Sequence, residues 1–237
     1  MDSKSIVSSI IVAAGIAGGL AVLGTQIDSA VGRFVDRDRV VTVKGLAEKQ
    51  VPADRVIWPL TFRELGNDLQ QVYGQVNSKA DMIIAFLQAG GIDVREISRS
   101  VPTVDDAQAL NYGGNQRAMR YALTQTVTVS TNKVNEVLKL MQKQSELIGQ
   151  GITLTNDYNH RTRFDFTGLN QIKPGMIETA TVNAREAAQK FAQDSGSTLG
   201  KIRRASQGQF SISNRDENTP YVKNVRVVTT VEYFLKD

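Results

Sequence analysis

His160 is the one histidine of the chain, and it lies in the run NDYNHRTRFDF with Asp157 and Asp165 close by. A histidine beside a carboxylate is a common general acid–base arrangement, because imidazole changes charge near neutral pH. The spacing works against it here. On a strand, Asp157 and His160 stand an odd number of positions apart and face opposite sides of the sheet. His160 is therefore expected as a partly exposed strand residue. The serines offer no acyl-transfer elbow, since G-x-S-x-G is absent. Asp54, Asp105, Asp106, Asp165, Asp216 and Glu217 fall mostly at turns, where carboxylates cap backbone or meet water. Gly113-Gly114 and Gly149–Gly151 lack the Lys-Ser/Thr of a phosphate loop and the spacing of a dinucleotide fingerprint. These patterns nominate no catalytic residue.

Composition closes further routes. The absence of cysteine excludes disulfides, thiolate nucleophiles, cysteine zinc sites and cysteine-held iron–sulfur clusters. A single histidine excludes a multi-histidine metal site within one chain. No metal and no cofactor is expected.

The basic residues ask a different question. Lys201, Arg203, Arg204, Lys223 and Arg226 form a candidate surface patch in the last quarter, joined by Arg215 and interleaved with Phe210 and Tyr221. Asp216, Glu217, Glu232 and Asp237 dilute it. Arg203 and Arg204 are adjacent, so a regular strand turns them to opposite faces and makes no stripe. A net charge of +4 is small for phosphate binding, and nucleic acid is not expected as a partner. A solvated surface is the main reading, with anionic lipid headgroups as the second.

The elements that must position these side chains begin with an apolar run. Residues 5–27, SIVSSIIVAAGIAGGLAVLGTQI, carry no charge and as a helix would span about 35 Å, enough for a hydrocarbon core. Ser9, Ala13, Ala17 and Ala21 form one small-residue ridge, and Gly15 with Gly19 a second; such ridges let membrane helices pack closely. A retained transmembrane anchor is favoured over a cleaved signal peptide, whose cleavage sites would be poor. Residues 1–4 are then a stub and 28–39 an amphipathic stalk continuing through Val31, Phe34 and Val35. Residues 1–39 hold four basic and four acidic side chains, so the +4 belongs to the remainder. Without a Pro/Gly/Ser-rich linker, 40–237 is expected as one domain.

Within that domain the periodicity predicts strands over Val40–Gln50 and Asp54–Leu65, with Val56, Trp58, Leu60 and Phe62 on one face and Pro59 marking a bulge or an edge. A helix capped at Asn67 or Asp68 carries Leu69, Val72, Tyr73, Val76, Ala80, Ile83, Ile84 and Leu87 and ends at Gly90-Gly91. Ile92–Val104 and Met119–Ser130 are predicted strands around the loop Asp105–Ala118. Asn132 is expected to cap a second helix, with Val134, Val137, Leu138, Met141 and Ile148 inward. Ile152–Thr167 is a predicted strand. A helix from Pro174 presents Ile177, Ala180, Ala184, Ala187, Ala188 and Phe191, and strands Leu199–Asn214 and Lys223–Lys236 close the chain. The class is α+β in two layers, order ββαββαβαββ, with two strand–helix–strand crossovers.

The opening VVTVKGLAEKQVPADRVIWPLTF resembles the start of a SIMPL domain. So do Arg120-Tyr121 entering a Thr/Val strand, TATVNAREAAQKFAQDSG followed by LGKI, and the closing VRVVTTVEYFL. The resemblance runs from Val40 to the C-terminus and implies a bacterial envelope-facing domain, linked broadly to stress responses, that builds ring- or barrel-like homo-oligomers. Together these readings give a membrane-anchored homo-oligomeric scaffold or binding module, with lipid contact through the anchor and the domain on the periplasmic side of the inner membrane. Two alternatives stand beside it: a hydrolase with a site shared across subunits, and a cytoplasm-facing adaptor. The second is the orientation hinted at by Arg33, Arg37 and Arg39 under the positive-inside rule.

Overall fold

The computed structural model describes residues 15–24, 39–109, 118–155 and 160–236. Residues 15–24 form a helix, α1. Then come β1 (Val40–Pro52), β2 (Arg55–Gly66), α2 (Leu69–Ala89), a 3-10 turn at Val94–Glu96, β3 (Ile97–Arg99), β4 (Thr103–Asp106) and β5 (Tyr121–Thr131). The rest is α3 (Val134–Gln142), α4 (Ser145–Gly149), β6 (Arg163–Asp165), α5 (Leu169–Asp194), β7 (Thr198–Gln207), β8 (Ser211–Asn214) and β9 (Val222–Lys236). The fold is mixed α+β with two antiparallel sheets. The chain divides into two compact units, one drawn from Met1–Glu48, Lys173–Ser211 and Arg226–Asp237, the other from Lys49–Ile172 and Ile212–Val225.

In the second unit the sheet order is β3-β5-β2-β6, with β4 also on β5. Because β2 and β3 both run antiparallel to β5, they run parallel to each other with β5 between them. By the same reasoning β5 and β6 are parallel across β2. The two crossovers expected from the sequence are therefore present as split β-α-β units, one spanned by α2 and one by α3 and α4. The inner face of β2 carries Val56, Trp58, Leu60 and Phe62, as the alternation predicts. They bury against Val72, Val76, Ala80, Ile83 and Leu87 of α2 and Val137 and Leu140 of α3. Asp68 caps α2 by accepting a 3.0 Å bond from the Gln71 amide.

Several expectations are corrected. Asn132 does not cap α3: Lys133 stands at the cap, and its amide bonds to Thr131 Oγ1 at 3.0 Å. The predicted second helix breaks after Gln142 into α3 and α4, which rotates Ile148 out to solvent and buries Leu147. The strand predicted over Ile92–Val104 splits into the 3-10 turn, β3 and β4.

In the first unit the sheet order is β1-β9-β7. Helix α5 starts at Leu169, ahead of Pro174, and its buried residues Met176, Ala180, Ala184, Ala188 and Ala192 recur every fourth position. That narrow ridge packs on Val43, Val231 and Tyr233. Phe191, expected inward, lies off the ridge and is exposed. The helix stops where Gly196 takes φ +69, a conformation that disfavours a side chain.

Candidate functional site

The basic patch is not one surface. Lys223 shares the parity of Val225 and Val227 on β9, and it is buried, 7% exposed. Its ammonium donates to Asn214 Oδ1. Burial lowers its pKa, with the Asp165 carboxylate pulling the other way. The expected surface placement of Lys223 is therefore wrong, and the alternation with the valines carried the signal.

Lys201, Arg203, Arg204 and Arg226 are exposed. The expectation that Arg203 and Arg204 face apart is also overturned. Ile202 pairs with Tyr233 and Arg204 with Glu232, so Arg203 is an extra residue in a β-bulge. The bulge resets the alternation and brings both arginines to Glu232. Arg203 Nη1 lies 3.4 Å from Glu232 Oε1, while Arg204 and Glu232 line one shallow depression with Thr42, Ser206 and Thr230. Arg226 Nε is 3.6 Å from Glu48 Oε1. Arg203 and Arg226 are thus each paired with a carboxylate on the same sheet.

The open feature of this unit is the sheet edge. Strand β7 is exposed over nearly its whole length. The Gly208 amide bonds inward to the Val228 carbonyl at 2.9 Å. By strand parity the amides of Ala205 and Gln207 then point away from β9, toward the open edge.

The second unit holds a cleft of about 580 Å³ lined by residues 58–61 of β2, Met141 and Gln144 near the end of α3, Leu154, Thr155 and residues 160–162. Its origin is local. Thr155 N bonds to the Thr61 carbonyl at 2.7 Å, and Arg163 pairs with Ile57. Of the strand predicted over Ile152–Thr167, Leu154 makes an isolated bridge to Phe62 and Arg163–Asp165 forms β6, while residues 156–159 lie outside the described residues. Pro59 shares the outward parity of Thr61 and has no N–H to offer a neighbouring strand, which keeps that part of the edge open. His160 is exposed at the cleft wall and lies off the strands, which corrects its expected strand placement; Asp157 lies outside the described residues.

The carboxylates are occupied structurally. Asp54 accepts from the Thr167 amide at 2.8 Å and from the Gly168 amide at 2.9 Å. Asp106 pairs with Arg120 at 3.0 Å, and that hydrogen bond holds its carboxyl below the usual range. Asp216 is held at about 2, first by the Thr219 hydroxyl and then by the Arg215 guanidinium. Ser130 and Lys133 stand at S-x-x-K spacing, but on a strand end and turn; Lys133 Nζ is engaged by the Gly91 carbonyl at 2.9 Å and Glu96 Oε2 at 3.1 Å. Among the described residues no group of three or more histidines and carboxylates could hold a metal ion.

Of the small-residue ridges, Gly15, Ala17, Gly19 and Ala21 lie on α1 and are exposed; Ser9 and Ala13 lie outside the described residues. Ile16, Leu20 and Leu23 of α1 are exposed too, and nothing lies within 4 Å of a Cβ built at Gly15 or Gly19. Among the described residues no helix is long and apolar enough to cross a membrane, and the stalk 28–38 lies outside them. The loop Asp105–Ala118 is described only at its two ends.

Comparison with known families gives one finding: the model of the SIMPL family, described as a protein of unknown function (DUF541), matches residues 41–233. No curated protein matches the chain.

Proposed function

Since the chain belongs to the SIMPL family, we propose that it is a membrane-tethered homo-oligomeric scaffold or binding module, assembled through the open edge of its first sheet. The observation that carries this reading is β7. An exposed edge strand presents unpaired amides and carbonyls to any chain that can align with them. The bulge at Arg203 and the cations Lys201, Arg203 and Arg204 guard its first half against indiscriminate pairing. Ala205–Gln207 continues regularly and is left as the pairing stretch.

In the order β1-β9-β7 the two edges differ, so β7 of one copy meeting β1 of the next is a head-to-tail contact. Such contacts close into rings when the rotation permits. The all-round apolar surface of α1 supports the tether, because a helix apolar on every side needs a core or a bilayer to cover it. The periplasmic side is part of the proposal; digestion of the domain by protease added to intact spheroplasts supports it, and protection until lysis favours the cytoplasm-facing adaptor. Assembly is tested by the mass of the detergent-extracted chain with and without a proline at Ala205.

A further inference from the structure

We propose that Asn183 sets the register in which copies join, confining β7 of one copy to the stretch Thr42–Leu46 on β1 of the next. The inference rests on the edge assembly proposed above, and adds the partner stretch and the residue that selects it.

The edge of β1 has a readable parity. The Leu235 amide donates to the Arg39 carbonyl at 2.9 Å, so β1 begins beside the end of β9 and the two run antiparallel. Burial and exposure then alternate without a break from Thr42 to Ala47. The odd residues therefore bond to β9, while the amides and carbonyls of Thr42, Lys44 and Leu46 point to the open side. One of these groups is taken: the Asn183 side-chain amide donates to the Leu46 carbonyl at 2.8 Å. It reaches the edge because α5 lies against the backbone of Gly45, where an added Cβ would meet the Ala180 carbonyl.

On β7 the open groups belong to Ala205 and Gln207. Ala205 pairs with Val231, so its side chain lies on the face that α5 covers. Strands β1 and β7 both run antiparallel to β9 and are parallel to each other. Copies that continue one sheet with α5 on the same side therefore bring β7 against β1 in parallel. In a parallel pair, a residue whose groups face its neighbour sits between two such residues and opposite one that faces away. Covered-face side chains then meet their own kind, Ala205 beside Val43 and Gln207 beside Gly45 of the next copy. The Ala205 amide reaches the Thr42 carbonyl, the Gln207 amide the Lys44 carbonyl, and the Leu46 amide the Gln207 carbonyl. The next acceptor along β1 is the Leu46 carbonyl, which Asn183 holds, and β7 ends at Gln207. Sliding β7 two residues onward would need that carbonyl for the Gln207 amide, and Asn183 blocks it.

The chain has no cysteine, so introduced thiols report pairing without background. The full chain in detergent is oxidised with copper phenanthroline. In this register Ser206 stands opposite Lys44 of the next copy, within disulfide reach, and Leu46 lies about 7 Å beyond it. Ser206→Cys/Lys44→Cys is expected to give a ladder of disulfide-linked multimers, and Ser206→Cys/Leu46→Cys less than about a tenth as much. Asn183→Ala frees the Leu46 carbonyl and should raise the Ser206→Cys/Leu46→Cys yield several-fold. Asn183→Asp, which keeps the size and cannot donate, should do the same, and stands in if the alanine variant fails to fold by circular dichroism. A monomeric chain overturns the assembly and this register together. A multimer linked equally well through Thr42→Cys or Leu46→Cys as through Lys44→Cys overturns the register and leaves the assembly standing. So does a linking pattern that the folded Asn183 variants leave unchanged.

Discussion

Gly45 and Ala180 meet backbone to backbone. A Cβ built at Gly45 would fall 1.8 Å from the Ala180 carbonyl oxygen and 2.5 Å from the Ala184 amide nitrogen. No side chain fits between β1 and α5 at this point, and the alanine ridge of α5 is what lets the helix come so close. The Asn183 amide, donating to the Leu46 carbonyl at 2.8 Å, holds the adjacent step of the strand.

Gly45→Ala is therefore expected to destabilise the fold by about 1–3 kcal/mol, because the obstructing atoms are backbone and the whole helix must shift. At roughly 2–4 °C per kcal/mol the melting temperature falls by several degrees. Gly175 is the control within the same helix: a Cβ there meets nothing within 4 Å, so Gly175→Ala should raise stability by about 0.5–1 kcal/mol. Thermal unfolding followed by circular dichroism separates the two. Equal effects of the two substitutions would contradict the close approach.

Lys223→Met is expected to stabilise the chain by about 1 kcal/mol or more near neutral pH, since it removes a buried charge whose main partner is the exposed Asn214. The pH dependence follows from the direction of the shift. The folded-state pKa lies below the ordinary 10.5, so between the two values the unfolded chain holds more protons and wild-type stability rises with pH. The advantage of the methionine variant should shrink toward pH 10.5. Urea midpoints of both proteins across that range test it, and a difference independent of pH would show that Lys223 is not penalised by burial.

Asp216 organises the turn between β8 and β9. It accepts from the Thr219 amide at 2.7 Å, the Asn218 amide at 2.9 Å and the Thr219 hydroxyl, and pairs with Arg215. Its carboxyl titrates at about 2, below the ordinary 3.8, so its contribution is present above 3.8 and lost as pH falls through about 2. Carboxyl-carbon resonances should place this midpoint near 2, well below the ordinary 3.8. Thr219→Val is expected to raise it; an unchanged midpoint would assign the shift elsewhere.

The parts of this fold that were legible in the sequence are those set by local periodicity. Alternation marked the buried face of β2, and the pair Asn67-Asp68 announced the start of α2, which Asp68 caps. The four-residue alanine spacing announced the close face of α5. What stayed hidden depends on partners far along the chain. The bulge that brings Arg203 and Arg204 to one carboxylate exists only in the register with Tyr233 and Glu232. The shortness of β6 depends on Arg163–Asp165 pairing with Ile57–Arg55, a register no local pattern reveals. Phe191 and Ile148 are apolar, which suggests an inward place, whereas the helix phase at each site turns them to solvent. Lys223 is the instructive case, since its parity with Val225 outweighs its charge and could have been read directly.

Assembly through the β7 edge is tested most directly by the native mass of the detergent-extracted full chain, wild type against Ala205→Pro. The Ala205 amide points to the open edge, so proline removes an intermolecular donor without costing a bond to β9. The expected result is a closed multimer of fixed stoichiometry for wild type and a shift to smaller species for Ala205→Pro, with the circular dichroism of the two unchanged. A wild-type chain that runs as a monodisperse monomer, or a folded Ala205→Pro variant of wild-type multimeric mass, would contradict assembly through this edge.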